Sequence, residues 1–364
     1  MKEFNNKTIL ITGHTGFKGS WLSLWLSSLG ANVIGISDKE VSRPSNYVTS
    51  GLSKIIDDRH FDIRDLIKLK KTFEDVQPDF VFHLAAQALV RPSYQEPLQT
   101  ITTNAIGTAN VLEAVRSLNK KTVVVMITSD KAYDNVEWVW GYRETDRLGG
   151  KDPYSASKGM AELAIRSYVE SFFNGCDSDI RVGVARAGNV IGGGDWAQDR
   201  IVPDCMKAWA DNQVVEIRSP HATRPWQHVI EPLSGYLTLA KDLAKDSKNH
   251  GQAYNFGPAA DQNHSVSSLI NEMSKYWSQV RWNDVSNDEH VHEAGLLKLN
   301  CDKAMFDLDW KPTLQFEETV KMTVEWYSKF YQNPNDSMYE YTINQIDAYS
   351  SLAKLRKISW ASDD

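Results

Sequence analysis

The chain has 364 residues, of which 41% are hydrophobic and 24% are charged, and its formal net charge is −7. The length predicts two domains or one large α/β unit with an appended lobe. The acidic balance argues against nucleic-acid binding, and no apolar run approaches the roughly 20 residues that a membrane span needs. The N-terminus has no apolar signal region, and the cysteines lack metal-ligand spacing (Cys176, Cys205 and Cys301). We therefore expect a cytoplasmic protein without a metal site.

A glycine-rich turn between a strand and a helix opens the chain. Residues 7–12 form a short β-branched run that predicts a buried strand, and residues 20–29 carry apolar residues at helical spacing up to Gly30. Between them the pattern Gly-x-x-Gly-x-x-Gly would let the backbone approach a pyrophosphate at the helix N-terminus. This predicts a dinucleotide site made by Gly13, His14, Thr15, Gly16, Phe17, Lys18 and Gly19.

Further apolar runs alternate with helical patterns and predict a doubly wound parallel sheet of the Rossmann type with a smaller C-terminal lobe. The strands are expected at residues 31–37, before His60, and at 80–84, 121–127, 181–185 and 252–257. Ligands bind beyond the carboxyl ends of parallel strands, so the polar residues at those ends should form one rim.

Two carboxylates are candidates for binding the adenosine part of the cofactor. Asp38 ends the second strand and could bind the ribose, which favours NAD over NADP, although Arg43 nearby could accommodate a 2′-phosphate. Both could equally be solvated loop residues. Asp62 could accept a hydrogen bond from adenine, and a helix cap is an equal alternative.

Tyr154 and Lys158 stand four residues apart, directly after an Asp-Pro pair that is typical of a helix start. Residues i and i+4 share one face of a helix, so the Lys158 ammonium could stabilise the Tyr154 phenolate and lower its pKa from about 10. Such a phenol suits proton transfer from a sugar hydroxyl while hydride leaves the carbon. An amphipathic helix with an exposed lysine is the alternative interpretation.

These motifs together resemble the extended short-chain dehydrogenase/reductases that modify nucleotide sugars. The resemblance rests on the glycine turn, residues 83–87, Asn104, residues 129–131, and Tyr154 with Lys158. Four segments are similar, more narrowly, to the 4,6-dehydratase branch that acts on CDP-glucose: residues 13–21, 137–144, 186–196 and 224–228. The resemblance spans residues 6–329 and does not reach the tail.

The resemblance implies an NAD-dependent dehydration of CDP-glucose to CDP-4-keto-6-deoxyglucose without net redox change. Tyr154, assisted by Lys158, would take the proton of the 4-hydroxyl while NAD takes the C4 hydride, and Ser129 would orient that hydroxyl. Asp130 and Lys131 would be the acid and the base of the water elimination. Asp130 then needs a raised pKa and Lys131 a lowered one, whereas neighbouring opposite charges favour ion pairing. The two roles could therefore be shared or water-mediated.

The resemblance also implies binding residues, domains and an oligomer. Further cofactor contacts would come from Asp38, Asp62, Ile63, Leu84, Ala85, Ala86, Gln87, Asn104 and Thr128. The nucleotide sugar would be bound by Gln87, Arg91, Ser129, Asn189, Asp195, Trp196, Arg200, Arg224, Gln227 and His228. Residues 1–188 and 227–257 would form the cofactor domain, and residues 189–226 and 258–364 the sugar-binding lobe. A homodimer, or a dimer of dimers, would form through the helix after Asn104 and the Tyr154 helix.

Two other classes of function remain open at this point. A nucleotide-sugar epimerase would share the tyrosine, the lysine and the glycine turn, but it has no use for an acid/base pair at Asp130 and Lys131. A non-catalytic nucleotide-binding protein could share the scaffold but gains nothing from a reactive phenol. The choice of base on the nucleotide rests on the resemblance alone, so another nucleotide sugar is a further alternative.

Overall fold

The computed structural model describes residues 1–175, 178–286 and 296–362, so Cys176 lies outside the described part of the chain. Its strands are β1 (Thr8–Thr12), β2 (Asn32–Ser37), β3 (Asp57–His60), β4 (Phe80–His83), β5 (Thr122–Ile127), β6 (Ile180–Ala187), β7 (Val190–Ile191), β8 (Val215–Ile217), β9 (Thr223–Arg224), β10 (Gln227–His228), β11 (Ala253–Phe256), β12 (His264–Ser265) and β13 (Trp282–Asp284).

The α-helices lie mostly between these strands. They are α1 (Phe17–Ser28), α2 (Asn46–Thr49), α3 (Leu66–Val76), α4 (Val90–Gln95), α5 (Pro97–Ile101), α6 (Gly107–Arg116), α7 (Pro153–Tyr168), α8 (Ile201–Ala210), α9 (Ile230–Lys245), α10 (Val266–Met273), α11 (Asp302–Leu308), α12 (Phe316–Gln332) and α13 (Tyr339–Leu355). None of the helices in the described ranges combines the length and the apolar character that a bilayer-spanning segment requires.

The central sheet has seven strands in the order β11-β6-β5-β4-β1-β2-β3, and all neighbouring pairs are parallel. The predicted Rossmann-type α/β sheet is therefore confirmed. The order reverses beside β1, which lies between β2 and β4. Thr12 pairs with His83, and His83 pairs with Met126, so the carboxyl ends of β1, β4 and β5 lie side by side. A ligand crevice is expected at this edge of the sheet.

Alternation along the strands produces two apolar cores, one on each face of the sheet. In β1, Ile9 and Ile11 belong to one core and Leu10 to the other, and all three side chains are fully buried. Residues on both faces of a parallel sheet must be apolar because helices cover both. The remaining strands form three small pairs, β7 with β10, β8 with β13 and β9 with β12.

Two helix starts differ from the sequence-based expectation. Helix α1 begins at Phe17, inside the glycine turn, rather than at residue 20. Asn104 does not start a helix: it lies in a π-helical segment, Thr102–Ile106, between α5 and α6. A π-turn inside a helical segment is often found at a functional site.

The C-terminal tail packs against α1, a contact that the sequence did not predict. The rings of Trp25 in α1 and Tyr349 in α13 meet edge to face at 6.0 Å, and Trp360 stacks on Tyr349 at 5.2 Å. All three side chains are buried. Because α1 begins in the glycine turn, the tail supports the helix on which the predicted dinucleotide site depends.

A buried carboxylate fastens the chain before α12 to α9. Glu231 accepts hydrogen bonds from the backbone N–H groups of Thr313 and Leu314 and from the hydroxyl of Tyr349. Burial raises the pKa of Glu231 to about 7, and these hydrogen bonds oppose the rise. The folded chain therefore binds this proton more tightly than the unfolded chain does.

We predict that Glu231 makes stability depend on pH below neutrality. Because its folded pKa exceeds the ordinary value of 4.5, its contribution is complete below pH 4.5 and declines as pH rises towards 7. The free energy of unfolding of wild type relative to Glu231→Gln should fall by about 3 kcal/mol over that range, measured by denaturant unfolding. Glu340→Gln, which changes an exposed carboxylate in α13, is the control. A pH-independent difference would contradict the prediction.

Candidate active site

Helix α7 places the predicted tyrosine and lysine in the crevice. Asp152 caps the helix by accepting a hydrogen bond from the Ser155 N–H at 2.9 Å, and Pro153 occupies the first turn, as expected for a helix start. Tyr154 and Lys158 are both buried, with 8% and 7% of their surface exposed. The alternative of an exposed lysine on a surface helix is therefore wrong.

The predicted lowering of the Tyr154 pKa is also wrong for the chain alone. Burial raises the pKa of Tyr154 to about 12, while a hydrogen bond with Ser129 and the charge of Arg200 favour the phenolate. Burial likewise lowers the pKa of Lys158 to about 8, against the attraction of Glu162. A dry site thus makes the phenol a weaker acid and the ammonium a stronger one, and additional positive charge is needed to form the phenolate.

A buried ion pair joins α7 to the sheet. Arg186 in β6 donates two hydrogen bonds to the Glu162 carboxylate, at 2.8 and 2.9 Å, and a third to the hydroxyl of Tyr133 at 2.7 Å. Thr128, predicted to contact the cofactor, donates its hydroxyl to Glu162 at 2.5 Å instead. Glu162 stands four residues after Lys158, so this pair positions the face of α7 that carries Tyr154 and Lys158.

Asp130 lies on a short 3₁₀ turn that follows β5. Ser129 caps the turn, accepting from the Lys131 N–H at 3.2 Å, and its hydroxyl donates to Asp130 Oδ1 at 2.9 Å. Burial raises the pKa of Asp130, whereas Lys131, Ser129 and Lys18 favour the carboxylate. The raised pKa that an acid requires is therefore present. Lys131 is partly exposed, and the described contacts include no ion pair between its ammonium and Asp130.

The glycine turn has the shape and the donors for a pyrophosphate. A Cβ on Gly13 would lie 2.7 Å from the backbone nitrogen of Ala85, and one on Gly19 would lie 2.1 Å from the Gly13 oxygen, so only glycine permits this packing. Helix α1 begins at this turn, and no side chain caps its N-terminus. Its first N–H groups and its dipole favour an anion. These residues therefore fit the dinucleotide that the sequence predicted.

In the predicted cofactor site, His14 makes a contact within the protein that holds the neighbouring chain in place. His14 is buried below the turn and bonds to Asp58 at 2.6 Å; burial lowers its pKa. His60 also approaches Asp58, at 3.1 Å, and the ligand atoms of these three side chains lie within 4.8 Å of one another, a spacing that a metal ion could bridge. The hydrogen bonds to Asp58 already account for this arrangement.

The two carboxylates that are predicted to bind the adenosine part of the cofactor follow β2 and β3. Asp38 is exposed at the end of β2. Asp62 pairs with Arg64 and accepts its N–H at 2.8 Å, while the cap of α3 is Asp65. Arg43 donates a hydrogen bond to Glu40, which weakens the argument that Arg43 binds the 2′-phosphate of NADP.

Three residues assigned to ligands hold the protein together with their side chains. Asn104 accepts from the Gln87 N–H at 2.8 Å and donates to the Gln87 carbonyl and to the Ser157 hydroxyl. The Gln87 amide bonds to Leu89 and Thr100. Ile63 is buried in the core. The structure gives these side chains contacts within the protein, and their ligand contacts stay a prediction. Asn104 clamps the loop that follows β4, which includes Leu84, Ala85 and Ala86, to α7.

The predicted sugar-binding residues divide into two groups. Asn189 is exposed, Arg224 is partly exposed, Arg200 bonds to Asp195 at 2.6 Å, and Arg91 bonds to Asp199 at 2.6 Å. The three arginines of this group, Arg91, Arg200 and Arg224, supply cations beside the crevice. The second group is buried and packs inside the protein, so its contact with the sugar stays a prediction.

Trp196, His228 and Gln227 make up this buried group. Trp196 packs in an aromatic cluster with Trp326 and Phe330, and His228 meets the edge of Trp21 at 5.5 Å. Burial lowers the pKa of His228 to about 3, so its ring is neutral. Gln227 is 2% exposed. These three side chains are therefore part of the packed interior that surrounds the crevice.

Sequence reasoning missed the ion pair of Glu162 and Arg186. The spacing Tyr154-x₃-Lys158-x₃-Glu162 places all three residues on one helical face and was a usable signal. The partner on β6 could not be inferred, because it lies 24 residues further on and is reached only through the fold.

A family model described as GDP-mannose 4,6 dehydratase matches residues 10–323. The chain belongs to the nucleotide-sugar 4,6-dehydratase family. It is 45% identical over 327 residues to the CDP-glucose 4,6-dehydratase of Salmonella typhimurium, covering 89% of this chain and 91% of that one. It is 25% identical to the CDP-paratose 2-epimerase of Salmonella typhi, covering 88% and 99%.

Solved structures share the fold of this dehydratase-family chain. An epimerase from Methanothermobacter thermautotrophicus superposes with a TM-score of 0.76 at 24% identity, covering 91% of this chain and 95% of that chain. The dTDP-glucose 4,6-dehydratase of Bacillus anthracis in complex with NAD gives a TM-score of 0.73 at 20% identity, covering 89% and 97%.

We predict that Asn104→Ala loosens the cofactor loop. It removes three hydrogen bonds and leaves the Gln87 backbone groups without partners, which should cost about 1–3 kcal/mol of unfolding free energy and weaken NAD binding. Asn110→Ala, which removes two hydrogen bonds to Ile63 and Arg64 at an exposed edge, should bind NAD normally. Calorimetric titration measures both, and equal NAD affinity in the two variants would contradict the clamp.

Proposed function

We propose that the chain converts CDP-glucose to CDP-4-keto-6-deoxyglucose with NAD as a recycled cofactor, in deoxysugar biosynthesis of the O-antigen type. The observation that carries the proposal is the placement of Asp130. It is buried directly after β5, on the same crevice as Tyr154, with a raised pKa. An epimerase needs no such acid. The relative from Salmonella typhimurium, a CDP-glucose 4,6-dehydratase by name, supports the choice of sugar nucleotide.

Oxidation at C4 comes first. Tyr154 takes the proton of the 4-hydroxyl, and Ser129, hydrogen-bonded to the phenol, orients that hydroxyl. NAD would be held by the glycine turn, residues 13–19, and when bound it would supply a hydride acceptor for C4, a hydride donor for C6 and a positive charge that favours the phenolate. Lys158 supplies a further cation on the same helical face, at the position fixed by Glu162 and Arg186. Together these charges oppose the effect of burial on Tyr154.

Elimination follows because the 4-ketone acidifies the C5 proton. Lys131 takes that proton, and Asp130 protonates the 6-hydroxyl, which leaves as water. Asp130 is buried, which raises its pKa and suits the role of acid, whereas Lys131 on the same turn is partly exposed. Lys131 then returns the proton to C5.

Cations around the crevice would bind the diphosphate. Arg200 is the residue directly before α8, close enough to Tyr154 to affect its phenol, and Arg224 is the last residue of β9. A guanidinium suits bidentate phosphate binding. In this proposal the cofactor domain comprises residues 1–188 and 227–257, and the sugar-binding lobe comprises residues 189–226 and 258–364.

A homodimer is proposed from the exposed apolar side chains on α5 and α7. Leu98 is 72% exposed, Leu163 59% and Met160 43%, and the two helices are adjacent. An exposed apolar patch of this kind commonly marks a protein–protein interface. A monomer mass in light scattering would contradict the dimer.

A cytoplasmic location is proposed from the cysteines: Cys205 and Cys301 are free and buried, as is typical of a reducing compartment. Cell fractionation tests this location.

We predict that Lys131→Ala allows oxidation but blocks elimination. Water loss should slow by about 10²- to 10⁴-fold, the usual contribution of a general base, while C4 oxidation proceeds. Reduced cofactor should therefore accumulate with substrate and be visible by absorbance.

Two control variants are measured alongside Lys131→Ala. Lys151→Ala, which changes an exposed lysine just before α7, should behave as wild type. Tyr154→Phe should form no reduced cofactor. If Lys131→Ala dehydrates at the wild-type rate, Lys131 is not the base.

A further inference from the structure

A small cavity adjoins Asp130. Its volume is about 10 Å³, near the minimum that one water molecule needs. Only two of the lining residues have polar side chains, Asp130 and Gln227; the others are Gly188, Pro225, Gly257, Pro258, Leu297 and Leu299. A water needs at least two polar partners, and these two side chains can provide them.

Gln227 lines this cavity and has an unused acceptor. Its amide nitrogen donates to the Phe256 carbonyl at 3.2 Å, whereas its Oε1 atom is buried and has no partner among the described residues. Leaving a buried acceptor unpaired is unfavourable. The side chain is 2% exposed, so bulk solvent does not satisfy it.

Asp130 presents its second oxygen to the same space. Oδ1 accepts the Ser129 hydroxyl, and Oδ2 faces Gly188, where a Cβ would lie only 3.1 Å from it. The charged and titratable groups that act on Asp130 are Lys131 on its own turn, Lys18 after β1 and Tyr154 on α7. None of these three residues lines the cavity.

Two acceptor oxygens on residues that line one cavity can be joined by a single water, which has a hydrogen for each of them. We propose that the cavity binds one water molecule that bridges Asp130 and Gln227, and that Gln227 is thereby a positioning residue for the acid of the elimination. When Asp130 is ionised, the water donates one hydrogen to each oxygen. When Asp130 is protonated, the water accepts its hydrogen and still donates to Gln227. The inference rests on the proposed dehydration.

A rotatable water suits a group that changes charge within each turnover. Asp130 gives its proton to the 6-hydroxyl as the C6–O bond breaks, and the hydroxyl departs as water. Asp130 loses one proton in each turnover and Tyr154 gains one from the 4-hydroxyl, so the number of protons on the protein is unchanged. The C5 proton taken by Lys131 returns to C5. The sugar therefore loses one water and nothing else. A fixed donor would favour only the ionised acid, and a fixed acceptor only the neutral one.

Gln227→Met tests the positioning role because it keeps the volume and removes the acceptor. Elimination should slow about 10- to 100-fold, the loss of a hydrogen bond that involves a charged group, while C4 oxidation keeps its wild-type rate. The alkaline limb of the rate of water loss should move to higher pH, because the ionised acid loses a donor.

The chain offers a matched control in Gln345→Met. Gln345 in α13 is also buried, donates to a backbone carbonyl (Met322, at 2.8 Å), and has an unpartnered Oε1. It lines no cavity with Asp130. Equal slowing of both chemical steps in Gln227→Met, or the same selective loss in Gln345→Met, would overturn the positioning role.

A crystal structure of the wild-type NAD complex provides a test that needs no variant. It should show an ordered water within about 3.0 Å of both Asp130 Oδ2 and Gln227 Oε1. A cavity without that water, or a direct contact between the two oxygens, would overturn the proposal. If the wild-type chain dehydrates no nucleotide sugar, the proposed function fails, and this structure still decides whether the water site exists.

Discussion

The ion pair between Arg186 and Glu162 fixes the helix on which the chemistry depends. It is bidentate and 4% exposed on both sides, and it joins β6 to the face of α7 that carries Tyr154 and Lys158. Thr128 at the end of β5 and Tyr133 complete its hydrogen bonds. A buried pair survives only when its remaining polar atoms are satisfied, as here. The result is a fixed distance between the strand ends and the phenol, which the sheet alone would not set.

Burial acts on the three reactive groups in different ways. It raises the pKa of both Tyr154 and Asp130 and lowers the pKa of Lys158. For Asp130 this suits an acid, since a raised pKa favours the protonated carboxyl that the leaving group needs. For Tyr154 it opposes the role of base, so the phenol depends on the cations around it. One dry crevice can thus contain both an acid and a base only because positive charge is concentrated beside the phenol.

Local patterns were enough to predict the sheet, the glycine turn and the cap at Asp152, because each depends on residues close in sequence. Local patterns did not predict the start of α1 at Phe17, because the apolar residues at helical spacing begin only at residue 20. Trp196, His228 and Asn104 were assigned to ligands because the family resemblance implied those roles. Only long-range packing shows that Trp196 joins the cluster of Trp326 and Phe330 and that Asn104 clamps a loop. No local rule separates a buried amide from an exposed one.

The most direct measurement is the mass of the products. Purified protein with NAD would be incubated separately with CDP-glucose, dTDP-glucose, UDP-glucose and GDP-mannose. We predict the loss of one water from CDP-glucose and no change in the other three. Loss of water from a different nucleotide sugar would preserve the mechanism and contradict the substrate. An unchanged mass in every sample, with an altered sugar stereochemistry by NMR, would contradict the dehydratase and identify an epimerase.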